Sequence, residues 1–483
     1  MLQAARFARA MFLHLQHAIF HSMAMPFIFY KKYEYNSFFR RGCLMGFKIL
    51  TPFIFLFSIA FNLHAENQQL RIQGSNTVGA QLVPELIQAW LKEKGYGSIK
   101  LVKKDEMTIL RGNHENGNTI KVKIEAKGSS TGFKGLQQGT ADLGMSSRRI
   151  KQKEIDALSS LGEMTSMESE HVIALDGIAV IVHSSNPLAA LKKSKIRDIF
   201  AGKITNWKTL GGTPGRINLY ARDDESGTFE VFKKLVLGKK TPLSKKAKRF
   251  ADNAKLSAEV TNDPHGIGFV GLPYILNSKA VAISDGEAPA IAPSKFSVAT
   301  EDYALSRRLY MYTPQQLPDE SLTRDFIKYV HSDAAQNTVE QVGFITQQIF
   351  LSEDEAGEQY PEKMRKLAEG AKRLSVNMRF TERTVYLDNK AKRDADRVYN
   401  FLKQTGKLKS GLLLFGFAEN KPNGMRSISF NRSIRRADQV AKYLSNKDVR
   451  ITTSRGYGGK APVASNETLL GQEKNRRVEL WLK

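Results

Sequence analysis

Between residues 70 and 229 the chain passes four times from a strand into a turn rich in Ser, Thr and Gly, and then into helical spacing. The turns read GSNTVG (74–79), KGSSTG (127–132), GMSSRR (144–149) and RDDESGTF (222–229). Short strands are predicted at 70–73, 120–126 and 141–144, and an amphipathic helix at 82–92. After the last turn, Val231, Phe232, Leu235 and Val236 fall on one helical face. Such alternation, sustained from 70 to about 350, predicts an α/β domain. In an open α/β sheet these turns gather at the carboxyl ends of the strands, where ligands bind. The first-turn N–H groups of a helix are free and its dipole favours negative charge there. Any one of the turns alone is no more than a capped helix. Together they offer hydroxyl and backbone donors with a guanidinium, Arg222, able to make bidentate bonds. That set suits a small tetrahedral oxyanion.

At 483 residues the chain calls for two or three domains, and 41% hydrophobic content supplies real cores. Lys and Arg number 73 against 48 Asp and Glu, a net charge of +25 that points to an anionic partner. Zinc-finger spacing, RNP motifs and basic heptads are missing, so nucleic acid is the weaker choice. The single cysteine, Cys43, leaves no intrachain disulfide and no cysteine-based metal site. Arg40, Arg41 and Lys48 precede an apolar run at 49–61, and Leu63-His64-Ala65 forms a cleavage site. This reads as an export signal at 45–65, with 1–44 an over-extended start or a long leader; an uncleaved anchor is the alternative.

The four turns, in this order, resemble the PstS-like periplasmic phosphate-binding proteins of ABC importers. The segments 174–212 (ALDGIAVIVHSSNP…) and 263–275 (DPHGIGFVGLPYI) resemble the same family. The resemblance implies a two-lobed type II periplasmic-binding fold over 66–350, with phosphate or a similar oxyanion in the cleft. It implies Ser75, Asn76, Thr77, Ser129, Ser130, Ser146 and Ser147 in lobe one, and Arg222, Ser226, Gly227 and Thr228 in lobe two. An ABC importer becomes a candidate partner. Family members that reject sulfate often end the third turn in Asp; here Ser147 and Arg148 stand there. Asp223 or Asp224 is the replacement acceptor, or both belong to a solvated turn.

After an acidic stretch at 351–373 that reads as a linker leading into a short helix, a new pattern begins. Strands are expected at 376–380, 412–417, 449–456 and 477–482, and helices at 389–402 and 431–444, a β-α-β-α-β-β order fit for a small α/β sandwich. GFAEN (416–420), RRADQVAKYL (435–444) and above all GYGGKAPVASNETLLGQEKNRRVEL (456–480) resemble the OmpA-like peptidoglycan-binding domain, here at 374–483. That family grips the diaminopimelate of the peptide stem with an Asp and an Arg. Glu419 falls on the Asp and Arg436 on the Arg, with Asn475 and Arg476 in the matching NRR segment. The interval between the two gripping positions is about two residues longer than usual, and GQ at 471–472 replaces the family's GR.

Ser226 lacks a GxSxG elbow, and the histidines are scattered singly, with no HExxH and no two-metal cluster. No cofactor and no metal are expected. The chain therefore reads as a non-enzymatic protein of the periplasm, associated with peptidoglycan or the outer membrane. It binds phosphate in its first domain and docks on peptidoglycan with its second. An envelope structural or adhesion protein with a repurposed first domain is the alternative, and a phosphatase using the same cleft a third.

Overall fold

The computed structural model describes residues 67–483 apart from 225, 382–383 and 421–424. The expected leader, export signal and Cys43 lie outside them. Among the described residues no helix is long and apolar enough to cross a membrane.

Lobe one carries β1 (Asn67–Gly74), β2 (Tyr96–Lys104), β3 (Met107–His114), β4 (Thr119–Glu125) and β5 (Leu143–Ser146). A long strand, β6 (Glu170–Val182), crosses to lobe two, which holds β7 (Ala190–Lys192), β8 (Asn218–Arg222), β9 (Lys248–Phe250), β10 (Gly266–Gly271), β11 (Lys279–Ala280) and β12 (Ala282–Ser284). A return strand, β13 (Ser306–Tyr312), comes back. The main sheet runs β2-β3-β4-β1-β5-β13-β6-β10-β8-β9, with β11 also beside β6, and β7 pairs with β12 apart from it. β13 is antiparallel to both β5 and β6, so it joins the lobe-one strands to the crossover. All residues of β6 are buried, the apolar stretches 172–175 and 178–182 together with Glu170, His171 and Asp176, so the strand is covered on both faces.

β1 is parallel to β4 and β5. This register brings the first three Ser/Thr/Gly turns to one edge of lobe one. Behind them, Leu70, Ile72, Val122 and Ile124 pack with Leu86 and Trp90 of the helix Val83–Glu93, where Pro84 occupies the first turn, the helical position that tolerates a missing N–H. In lobe two the Phe232 and Phe269 rings stack at 3.9 Å, which seats the helix Gly227–Phe232 on β10 and thereby fixes the fourth turn.

The C-terminal sheet contains β14 (Lys372–Arg379), β15 (Leu412–Phe417), β16 (Ile451–Gly456) and β17 (Arg477–Leu482) in the order β14-β17-β15-β16. Helices Asn389–Gln404 and Arg426–Ser445 pack on it. The second helix starts five residues before its expected position. A short helix, Leu469–Asn475, absent from the expected order, precedes β17; the Thr468 hydroxyl caps it by accepting from Gly471 N at 3.1 Å. The acidic stretch expected as a linker leads into a short helix, as its sequence predicts. It includes the helix Glu362–Leu367, and Tyr360 and Met364 are buried against Phe415, Phe417 and Trp481.

The C-terminal domain joins the first through buried charges. Asp302, 4% exposed, accepts from Arg373 at 2.7 Å and Asn377 at 2.8 Å. Arg308 of β13 bridges Glu301 (2.9 Å) and Asp388 (2.7 Å). Arg379 donates to Thr300 O at 2.9 Å. The Lys474 ammonium reaches Tyr303 O and Ser306 Oγ. On the other flank, Asn389 donates to Thr165 O, and Arg393 to Glu170 O and His171 Nδ1.

His171 gives this junction a pH dependence. Burial, reinforced by the Arg393 charge, pushes its imidazole down to about 3. The unfolded imidazole takes its proton near 6.5, so on acidification the unfolded chain gains protons first. The stability held above about 6.5 is then lost as the pH falls toward 3, by about 2 kcal/mol at about pH 5. Thermal melts across this range should show the decline, and His171→Asn should lessen it, since the neighbouring His331, held neutral by burial, keeps its own share.

Candidate functional site

A cleft of about 490 Å³ opens between the lobes. From lobe one it is lined by Asn76, Thr77, Lys103 and Thr108, and from lobe two by Arg222, Asp223, Ser226, Gly227 and Thr228. The lobes touch beside it. A Cβ on Gly227 would lie 1.8 Å from Thr77 Oγ1, so only glycine permits this approach.

The Arg222 guanidinium, at the end of β8, donates Nε to Phe250 O at 3.1 Å and Nη2 to Ala251 O at 2.7 Å. No carboxylate lies within ion-pair distance of it among the described residues. Burial lowers its pKa, partly offset by Asp223 and Asp252. A half-buried guanidinium satisfied only by neutral carbonyls still has its charge to compensate, and that favours an anion. Ser226 caps the following helix, its hydroxyl accepting from Phe229 N at 3.4 Å. The two acidic neighbours part ways. Asp224 is solvent-exposed and paired with Arg249 at 2.9 Å, whereas Asp223 lines the cleft.

The lobe-one serines lie apart from that space. Ser75 is 1% exposed and its buried hydroxyl has no partner among the described residues. Ser129 Oγ meets Ser147 Oγ at 3.3 Å and accepts from Ser147 N at 3.1 Å, which ties the second turn to the third. The Ser146 hydroxyl donates to Arg148 O at 2.6 Å. Ser130 is exposed and accepts from Arg148 Nη2 at 3.1 Å. The third turn departs from the expected pattern. Ser146 still belongs to β5, and the next helix begins only at Gln152, where the Glu154 carboxylate accepts from Lys151 N at 2.9 Å. Neither serine therefore stands at a helix N-terminus. Arg148 is held bidentate by Glu154 (2.8 and 2.6 Å), and Arg149 pairs with Glu170 at 3.0 Å.

Sequence reasoning missed Arg307. Its Nε and Nη2 meet Asp176 Oδ2 at 2.9 and 2.8 Å, and Nη2 also donates to Thr77 Oγ1 at 3.1 Å. Nη1 lies 3.5 Å from Gly227 O. A side chain on β13, anchored to β6, thus touches both jaws. The signal was present as two adjacent arginines, Arg307 and Arg308, inside an apolar strand. Lys234 was missed too. Burial, with Arg148, Lys151 and Arg307 close by, pushes its ammonium below the usual range, so lobe two adds a further cation facing lobe one.

In the C-terminal domain Glu419 and Arg436 do come together. A Cβ on Gly416 would lie 2.1 Å from Ser433 O, and this close strand–helix packing sets the two residues face to face. Glu419, 2% exposed, meets Arg436 Nη1 at 3.2 Å, with Arg432 at 3.8 Å and Arg476 at 3.9 Å. Burial pulls the Arg436 pKa down while Glu419 holds it up. Asn475 plays another part. Its amide oxygen accepts from Val463 N and Ala464 N, and its NH₂ donates to Ala464 O and Asn466 Oδ1. All of its hydrogen-bonding capacity goes to shaping that loop.

Comparison with known proteins matches both domains. The PBP superfamily domain profile matches residues 108–334, and the OmpA family profile matches 379–476. The phosphate-binding protein PstS of Borreliella burgdorferi is 31% identical over 247 residues, covering 50% of this chain and 84% of that protein. The chain belongs to the PstS family of phosphate-binding proteins. A PstS of Staphylococcus epidermidis is 28% identical over 281 residues, 56% of this chain and 77% of its own length. Among solved structures, a putative phosphate ABC transporter substrate-binding protein with bound phosphate from Clostridium perfringens is 27% identical, covering 58% and 99% of the two chains, with a TM-score of 0.42. This PstS-family chain is a binding protein, not an enzyme, and it carries an OmpA family domain at its C-terminus.

Proposed function

We propose that the chain binds phosphate in the interlobe cleft and is tethered to peptidoglycan by its C-terminal domain, in the periplasm. The observation that carries the first half is Arg222, a cleft guanidinium with carbonyl partners and no counter-carboxylate among the described residues. Around it Ser226 to Thr228 and Thr77 supply hydroxyl and N–H donors. Asp223 is the carboxylate placed to accept the proton of hydrogen phosphate, a bond that sulfate cannot offer. Titration calorimetry of the exported chain tests this. Phosphate should bind and sulfate should not; an absence of heat and of thermal shift with phosphate, arsenate and sulfate alike would refute the reading.

The wall-binding half rests on the Glu419–Arg436 pair, a carboxylate and a guanidinium matched to the ammonium and carboxylate of diaminopimelate. Glu419→Ala and Arg436→Ala together, which leave neither charge buried alone, should abolish co-sedimentation with peptidoglycan while phosphate binding persists. Undiminished co-sedimentation of the double variant would sink this assignment. An ABC importer is the partner proposed for the bound anion.

A further inference from the structure

Lobe two holds a second cavity, of about 460 Å³. Asn218 at the start of β8 lines it, whereas Arg222 at the strand's other end lines the interlobe cleft. Its floor is apolar, with Ile199, Ile217 and Leu219 buried. Its charged lining is Arg216, Lys246 and Lys248, and no Asp or Glu lines it.

Separate contacts put these cations in one place. Ile217 N bonds Thr205 O at 2.8 Å and Arg216 bridges Asn206, which fixes the first. Lys248 faces Tyr220 in the pairing of β8 with β9, its ammonium 5.6 Å from the ring centroid. Ser244 N bonds Phe200 O at 2.8 Å, and a Cβ on Gly202 (φ +76°) would lie 2.9 Å from Ser244 Oγ. The loop that carries Lys246 is thereby pinned to the helix Lys193–Phe200. From 231 to 249 the chain has seven Lys, one Arg and no Asp or Glu. The one ion pair of that segment among the described residues is Arg249 with Asp224, at 2.9 Å, and Arg216 has none there either.

The neutral groups beside the cations present donors. Asn206 Oδ1 is taken by Lys208 N and Gly215 N, and Ser244 Oγ accepts from Lys246 N, so an NH₂ and an O–H are left to give. Asp263, behind this wall, is already filled by neutral donors: Asn218 Nδ2 and the Tyr220 hydroxyl at 2.8 Å each, and His265 N at 2.9 Å.

We propose that this cavity is a polyanion site whose ligand is a chain of condensed phosphates. Such a chain carries charge on every unit and offers acceptor oxygens alone, which match three unpaired cations and a set of donors. Arg216 takes one phosphate with its planar fork, and Lys246 and Lys248 act as point charges on the neighbouring units. Lys245, exposed beside Lys246, continues the positive surface. A single orthophosphate engages only part of this set. The site does not depend on anion binding in the cleft.

The test uses the exported chain carrying Arg222→Ala, titrated with inorganic tripolyphosphate and, separately, with orthophosphate. One equivalent of tripolyphosphate is expected to bind, and orthophosphate at least about tenfold more weakly. Arg216→Gln, Lys246→Gln and Lys248→Gln together change only exposed side chains. They should leave the melting temperature in place and weaken tripolyphosphate by about 100-fold. Lys92→Gln, Lys100→Gln and Lys104→Gln, at exposed lysines of lobe one, remove the same charge and should change it by less than about twofold. Equal weakening by the two sets would reduce the effect to diffuse charge and overturn the site. Failure of tripolyphosphate to bind, or orthophosphate binding as tightly, would overturn it too. So would phosphatidylglycerol vesicles that sediment with the chain when tripolyphosphate does not bind, since they would assign the surface to a membrane.

Discussion

Arg222→Ala is expected to weaken phosphate binding in the cleft by roughly 100-fold or more, the loss of a charge-assisted pair of hydrogen bonds in a half-buried site. Among the described residues the side chain has no carboxylate partner to strand, so its removal leaves no orphaned charge there. The fold should survive, with far-UV circular dichroism and peptidoglycan binding unchanged. Arg222→Lys separates charge from geometry: a lysine keeps the cation but loses the planar fork, and it should recover only part of the affinity. Calorimetry of the three chains decides the matter. Unaltered affinity in Arg222→Ala would move the anion site elsewhere.

The second large effect is expected at the domain junction. Asp302 is buried between Arg373 at 2.7 Å and the Arg379 and Arg477 guanidiniums at 3.8 and 4.0 Å. Those arginines hold its carboxyl below the usual range, with Arg373 first. Asp302→Ala would leave this concentration of buried positive charge short of one counterion, at a cost of about 3–5 kcal/mol. Urea unfolding should record the loss, and limited proteolysis should begin to cut between residues 350 and 372. Adding Arg373→Met to Asp302→Ala should restore a good part of the stability, since the pair is then removed whole. Strict additivity of the two changes would show that they do not act through one another.

Much of the first domain was legible because its information is local. A strand ending in Gly74, a cap at Ser226 and an apolar stripe through Val231, Phe232 and Val236 are each written within a dozen residues, and their order marks the family. The closing segment at 456–480 declared the second domain in the same way. What escaped is non-local. Arg307 and Asp176 are 131 residues apart, and only the pairing of β13 with β6 brings them together. His171 and His331, read as isolated, meet at 3.3 Å across 160 residues. Arg373, Arg379 and Asp302 look like solvated charges until the domains dock. The third turn misled for a local reason: Ser146 continues its strand, and a helix starts only at Gln152, where the Glu154 carboxylate accepts from Lys151 N. Asn475 reads from the sequence as a neighbour of Glu419 and Arg436, and nothing beside it reveals that its amide is wholly occupied by its own loop.

The passage from one domain to the other leaves no leash. Leu351 bridges Leu374 across the junction, Ser352 N bonds Arg373 O at 2.7 Å, and Phe350 N bonds Ser375 Oγ at 2.9 Å. A receptor on a flexible tether samples a sphere, and its encounters with a membrane partner are set by the local concentration that the tether confers. Here the cleft is clamped to the module that would hold the wall. Once that module is seated on a peptide stem, the cleft becomes a fixed station whose height above any membrane is set by the sacculus. Delivery of the anion then depends on diffusion of the released ion, or on wall turnover that moves the station, and not on the reach of the protein itself.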